Sequence, residues 1–288
     1  MKPVSVTAEA LPRGVTAAAT AHAAESARRL DPRIYQIATL AGLLGYGVFW
    51  LDLDVQAATA VATIATAILT QLACTWVTGR GRFDPRSALI SALSLCLLLR
   101  TGSLGLAMIT AVVAIASKFV VRVRDKHVFN PTNGALVAML LVTGEVWVSP
   151  GQWGSGVVFA FLLASAGGLV VNRAARADVT LTFLACWACL LVGRSLWLGE
   201  PLAIPVHRLQ NGALVLFAFF MISDPKTTPD SRAGRLLFAA LVALGAYVVQ
   251  FRLFWTNGLL WSLAVCSLAV PVIDRLLPGR RYEWRSSP

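Results

Sequence analysis

Residues 55–77 read Val-Gln-Ala-Ala-Thr-Ala-Val-Ala-Thr-Ile-Ala-Thr-Ala-Ile-Leu-Thr-Gln-Leu-Ala-Cys-Thr-Trp-Val, a run without a single charge. A helix of about 20 mainly apolar residues crosses the hydrocarbon core of a bilayer. Asp52 and Asp54 precede the run, and Arg80 and Arg82 follow it. Thr59, Thr63, Thr66 and Thr70 form one stripe along it, a pattern that suits close packing between membrane helices. The whole chain has the same character. Of its 288 residues 57% are hydrophobic and 14% charged, and its mean hydropathy is +0.70. Soluble domains carry about 25% charged residues. This balance excludes a soluble enzyme, a disordered chain, a secreted disulfide scaffold and a β-barrel porin. It points to an all-α integral membrane protein.

Outward from that run, ten apolar stretches follow one another, at 34–51, 55–77, 88–99, 104–121, 134–143, 154–171, 179–198, 211–223, 236–251 and 258–273. The third, fifth and eighth are short for a straight span. Short or broken spans are tolerated where they line a site or cavity. With the N-terminus inside and loops alternating, 21 of the 25 Lys and Arg residues fall on the inner side. Only Arg100, Arg194, Arg208 and Arg252 fall outside. Such a bias fits ten helices with both termini in the cytoplasm. The net charge of +11 therefore reads as membrane orientation, not as nucleic-acid binding. The expected partner is the lipid bilayer. Residues 1–30 carry Glu9, Arg13, Glu25, Arg28 and Arg29 and lack the apolar core of a signal peptide.

Thr132-Asn133-Gly134 recurs as Thr256-Asn257-Gly258, 124 residues later. Ser87-Ala88-Leu89-Ile90 resembles Gly212-Ala213-Leu214-Val215 at a spacing of 125. Shifting the first spans by that amount lands on the later ones. Each half then holds five helices, and an odd number forces the second half to insert upside down. The expected organisation is a cytoplasmic tail at 1–33, a first five-helix repeat at 34–143 and an outer connection at 144–153. A second, inverted repeat at 154–273 and a cytoplasmic tail at 274–288 complete it.

Polar groups at membrane depth are costly and mark candidate sites. Lys118 lies near the end of the fourth stretch. After it, Arg122, Arg124, Lys126 and His127 lead into Asn130-Pro131-Thr132-Asn133-Gly134. Asn130 suits an N-cap and Pro131 a first turn, so free N–H groups and basic side chains would meet there. That is a place for a phosphate or another anion. A capped helix beside inner-side charges explains the same residues. Ser223-Asp224-Pro225-Lys226-Thr227 ends the eighth stretch on the same side. Asp224 there either pairs with Lys226, Arg235 or a ligand, or closes a proline turn. The candidate cofactor-binding set is Lys118, Arg122, Lys126, Asn130, Pro131, Thr132, Asn133, Asp224 and Thr227. Cys186 and Cys189 share a helical face, but none of the five cysteines has a repeat partner, so no metal site is expected. No catalytic residue and no nucleotide-motor motif stands out.

At Phe129-Asn130-Pro131 and Phe219-Phe220-Met221-Ile222-Ser223-Asp224-Pro225-Lys226-Thr227, the chain resembles the RnfD/NqrB family. These are membrane subunits of Rnf and sodium-pumping NADH:quinone oxidoreductase complexes. The likeness continues through Gly234-Arg235-Leu236-Leu237-Phe238, Asn257-Gly258 and Pro271-Val272-Ile273-Asp274, covering roughly 86–135 and 207–275. It implies ten helices in two inverted halves, a flavin, electron transfer coupled to ion movement, and other membrane subunits as partners in a bacterial inner membrane. At most the chain is then a subunit of a membrane oxidoreductase. The family also implies a threonine bearing covalent FMN between the fifth and sixth spans. Here that connection, 144–153, has no threonine. The expectation is no covalent FMN, and FMN or riboflavin held non-covalently. Overall length and Asp31-Pro32-Arg33-Ile34-Tyr35-Gln36 are similar to the short UnbU-like branch encoded with enediyne biosynthesis. That likeness implies the alternative of a transporter or accessory protein of natural-product biosynthesis without a redox centre.

Overall fold

A computed structural model describes residues 31–50, 53–79, 83–148, 167–168 and 176–282. The chain divides into two units, and almost all that is described belongs to the unit 32–283. The first half of this unit holds α1 (Pro32–Trp50), α2 (Ala57–Thr78), α3 (Pro85–Leu98), α4 (Leu104–Val120) and α5 (Pro131–Val142). The second half holds α6 (Ala177–Leu198), α7 (Ala203–Leu209), α8 (Gly212–Leu216), α9 (Arg232–Phe251), α10 (Gly258–Ser267) and α11 (Val270–Leu276). A π-helical turn, Phe217–Met221, extends α8.

Three of these helices, α2, α6 and α9, are long and apolar enough to cross a membrane. The pair α10–α11 makes a fourth if it is counted as one span bent by 49°. The bend has a local cause. Pro271 sits in the first turn of α11 and cannot donate the backbone bond that would continue α10. The tail expected from 274 therefore begins later, because Asp274 is inside α11. Helices α3, α4 and α5 and the α8–π segment are apolar but short. The sixth apolar stretch and the 1–30 tail lie outside the described residues, apart from Gly167 and Gly168, which are helical.

Short polar side chains set where the helices begin. Asp84, Ser103 and Asn130 each accept a backbone N–H at the start of α3, α4 and α5. Asn211 and Ser231 do the same for α8 and α9. Each such cap satisfies a donor the helix leaves open and contributes about 1 kcal/mol. The pairs Asp84/Asn211, Ser103/Ser231 and Asn130/Asn257 are 127, 128 and 127 residues apart. The two Thr-Asn-Gly copies do not fall at matching helix positions. Asn133 lies inside the first turn of α5, whereas Asn257 stands before α10, so the two copies are not equivalent positions. Three identical letters were a weaker guide than the capping geometry. The long helix α2 packs on α4, and the long helix α6 packs on α9. Helices α5 and α10 then meet at the centre.

The all-α expectation needs a small amendment. β1 (Leu99–Thr101) pairs antiparallel with β4 (Val146–Val148), and β2 (Arg122–Val123) with β3 (Lys126–His127). Arg124 and Asp125, both at positive φ, make the two-residue turn of the β2–β3 hairpin. The core is lined by small and aliphatic residues, with Ala88, Ala92, Ala107, Ala111 and Ala114 fully enclosed between α2, α3 and α4. Large apolar side chains such as Trp76, Val77, Trp197 and Leu141 point outward. That inversion of the soluble pattern is what a lipid-facing surface requires.

Candidate functional site

The sequence-derived candidates come together at one end of the bundle, but they turn toward one another. Asn130 caps α5 by accepting the Asn133 N–H at 3.1 Å. Its amide donates to the Met221 carbonyl at 3.4 Å and to Asp224 Oδ2 at 3.3 Å. Pro131 follows in the first turn. Thr132 donates to the Ser91 carbonyl, and the Asn133 amide to the Leu260 carbonyl, at 3.3 and 3.2 Å. Lys118 is buried, with Nζ donating to the Ser87 carbonyl at 2.9 Å and to its hydroxyl at 3.1 Å. The Met221 carbonyl is available because the helix ends there and Pro225, four residues on, has no N–H to offer it.

Asp224 closes its own turn. Its carboxylate accepts the Lys226 N–H at 3.0 Å, and its carbonyl accepts the Thr227 and Thr228 N–H groups, each at 3.1 Å. The Thr227 hydroxyl adds a bond to that carbonyl at 3.3 Å. Burial pushes the Asp224 carboxyl up, against the pull of the Lys226 N–H and the Lys118 charge. Arg235 is not its partner, as it pairs with Asp178 instead, with Nε at 2.8 Å. Arg122 bonds the Asp125 carbonyl at 2.7 Å. Lys126 bridges two carboxylates, Asp230 at 3.0 Å and Asp274 at 2.8 Å. Arg33 pairs with Asp84, whose carboxyl would be raised by burial but is held low by Arg86 and Arg33. The basic groups expected to receive an anion here are largely committed to the protein's own acceptors. This end of the bundle is a polar clamp between the two halves. Asn130→Ala removes the α5 cap and orphans two acceptors, which predicts a loss of about 2–3 kcal/mol in a thermal or denaturant melt.

A hollow of about 290 Å³ opens beside Lys126 and His127, and a larger one lies elsewhere. A cavity of about 490 Å³ is walled by Trp187, Phe217, Phe251, Phe254 and Trp255. Arg194 and Arg208 hold their guanidinium groups 4.7 and 5.1 Å from the Phe251 ring centre. Arg194 is also paired with Glu200 at 2.7 Å. Asn257, at positive φ, begins α10 at the cavity wall without capping it through its side chain. Gly258 is required beside it, because a Cβ there would lie 2.9 Å from the Ala246 carbonyl oxygen. Sequence reading missed this site because its aromatic residues look like ordinary span or belt residues. One signal was present: Arg194 and Arg208 are two of the four basic residues on the side that the charge bias leaves poor. Among the described residues no cluster of metal-ligating side chains occurs, and Cys186 and Cys189 carry free thiols.

An apolar helical bundle with a polar clamp at one end and an aromatic, arginine-bearing cavity defines a membrane protein with a cofactor- or substrate-sized pocket. Comparison with known proteins narrows this. Residues 141–283 match the NQR2, RnfD, RnfE family. The RnfD subunit of the ion-translocating oxidoreductase complex of Escherichia coli K12 is 34% identical over 137 residues, covering 46% of this chain and 38% of the relative. The corresponding subunits of Escherichia coli O9:H4 and O1:K1 match to the same extent. The chain thus aligns with well under half the length of these relatives. Residues 141–283 are thus similar to the NQR2, RnfD, RnfE family, in agreement with the resemblance carried by the Phe219–Thr227 and Pro271–Asp274 motifs. The earlier likeness at 86–135 falls outside the matched segment.

Proposed function

We propose that this protein is a membrane subunit of an electron-transport complex that holds a flavin non-covalently in the aromatic cavity. The relatives are named as subunits of an ion-translocating oxidoreductase complex, which supports electron transfer, ion movement and neighbouring membrane subunits. The observation that carries the cofactor reading is the cavity itself. Its aromatic walls suit a planar ring system. Among the described residues Arg208 has no carboxylate partner, and it lies near the open α10 N-terminus, so the two together favour a phosphate or another electron-rich edge. A bound flavin would supply one- and two-electron transfer. The residues of this chain would orient it, shield it from water and hold its anionic groups.

Gently purified protein should therefore show flavin absorption that acid denaturation releases into solution. Arg208→Gln removes a charge-assisted contact of about 1.5–3 kcal/mol. It should lower flavin retention roughly tenfold or more at unchanged expression. A denaturing gel should show no fluorescent band, since 144–153 offers no threonine acceptor. A colourless protein that is instead stabilised by an apolar polycyclic compound would favour export or accessory work in natural-product biosynthesis. The largely apolar cavity lining is the observation that keeps that second reading.

The same reading includes ten spans in two inverted halves with both termini in the cytoplasm. The 127- and 128-residue spacing of the caps and the matching helix pairs support it. In a background with the native cysteines replaced, Glu145→Cys should react with an impermeant thiol reagent on intact cells. Asp125→Cys, exposed on the β2–β3 turn, should react only after lysis. The reverse pattern would overturn the orientation.

A further inference from the structure

Arg176 is only 4% exposed, yet among the described residues it has no carboxylate partner. Its guanidinium stacks 5.3 Å from the Tyr282 ring centre, and its Nε has no hydrogen-bond acceptor. The nearby acids are committed elsewhere. Asp178 accepts two bonds from Arg235, at 2.8 and 2.5 Å. The Asp230 carboxylate belongs to Lys126, and its carbonyl accepts from Arg235 at 2.9 Å. Burial, then the Arg235 charge, act against the Arg176 cation. A buried guanidinium in this position is costly unless an anion joins it.

The surroundings form a receptacle. Arg176 lines a concavity of about 530 Å³ with Arg232, Arg235, Arg280, Arg281 and Tyr282. Arg232, Arg280 and Arg281 are exposed at its rim. The N-terminus of α9 opens into it at Ser231. Ser231 caps only the Gly234 N–H, so the first amides of α9 keep their free donors and the positive end of the helix dipole. Helix α6 begins one residue after Arg176, so a second helix N-terminus converges on the same place. Gly279 seats the final segment directly on α9, since a Cβ there would lie 2.4 Å from Ser231 N. Backbone packing thereby fixes the wall that carries Arg280 and Arg281.

We propose that this concavity binds a phosphate group, with Arg176 as its buried ligand and the α9 N-terminus and rim arginines as its cradle. Arginine forks match tetrahedral oxyanions bidentately. The group comes either from an anionic phospholipid or from a free phosphate compound. The site stands at the ends of α6 and α9, two of the helices able to cross a membrane, which places it at headgroup level if they do.

The test titrates the full chain, purified in detergent, with phosphatidylglycerol, with a phosphate-free glucosyl diacylglycerol and with inorganic phosphate, read by native mass spectrometry. The expected result is binding of phosphatidylglycerol or of inorganic phosphate, but not of the glucolipid. Binding of phosphatidylglycerol alone identifies a lipid headgroup, and binding of inorganic phosphate alone identifies a soluble ligand. If both bind in competition, the site takes either source. Arg176→Gln should weaken the binding about tenfold or more, and Arg252→Gln, exposed at the opposite end of α9, should leave it unchanged. If Arg176→Gln does not fold, the rim variant Arg232→Gln/Arg280→Gln decides, with an expected loss of several-fold. The proposal is overturned if neither phosphate probe binds or the glucolipid binds equally well. Wild-type affinity in a folded Arg176→Gln, or in the rim variant when that one decides, overturns it too.

Discussion

Lys126→Met should lower the stability of the folded protein by about 3–5 kcal/mol, the usual cost of removing one partner from a buried ion pair. Lys126 is the only cation bonded to either Asp230 or Asp274 among the described ion pairs, and all three side chains are at most 15% exposed. The two carboxylates are also neighbours, because the Asp230 N–H donates to Asp274 Oδ1 at 2.7 Å. Without the ammonium group, two like charges stay enclosed side by side. Asp274→Asn in the Lys126→Met background should recover part of the loss, because it removes one of the two enclosed charges. Chemical denaturation of the detergent-solubilised protein measures this. Equal stability of Lys126→Met and the parent protein would show that the bridge does not tie the hairpin to α9 and α11.

The clamp shows where sequence reading stops. The helices were legible from uncharged runs, and the start of α5 from Asn130-Pro131, because capping and proline at a first turn are local effects. The partners of Lys126 were not legible. They lie 104 and 148 residues away, and nothing in the sequence around a lone aspartate says which distant cation it meets. The π-turn at Phe217–Met221 was hidden for a related reason. Its carbonyls are taken by side chains from other elements, Thr180 at Ala218 and Asn130 at Met221. Helix α7 falls in the gap between the seventh and eighth apolar stretches, and the bend between α10 and α11 was absorbed into the last one, since hydropathy records burial in lipid without recording direction. The candidate anion-binding residues were read as a cluster, and they do cluster. Their charges are turned inward by contacts that depend on tertiary folding, while the open cavities are walled by Phe251, Trp255 and Arg208 or by Arg176 and Tyr282.

His127 sets a second large effect, and it depends on pH. The ring sits beside the clamp, where burial first, and then the charges of Arg122, Lys118 and Lys226, push its pKa down to about 4 from 6.5. Its Nδ1 has no hydrogen-bond partner, so a proton added there would find no acceptor. The folded protein thus favours the neutral ring, and the unfolded chain binds the proton more readily. The stability this confers is fully present above pH 6.5. It declines as the pH falls from 6.5 toward 4 and is gone below 4. At 1.36 kcal/mol per pKa unit the whole effect is roughly 3 kcal/mol. Carboxylates titrate in the lower part of the same window, so the measurement is a difference. His127→Gln should be less stable than the parent protein at pH 7.5, having lost a fitted ring. The gap should close, and then reverse, as the pH drops to 4, because glutamine takes up no proton. Parallel pH profiles for the two proteins would mean that the hairpin opens to water before the ring is protonated.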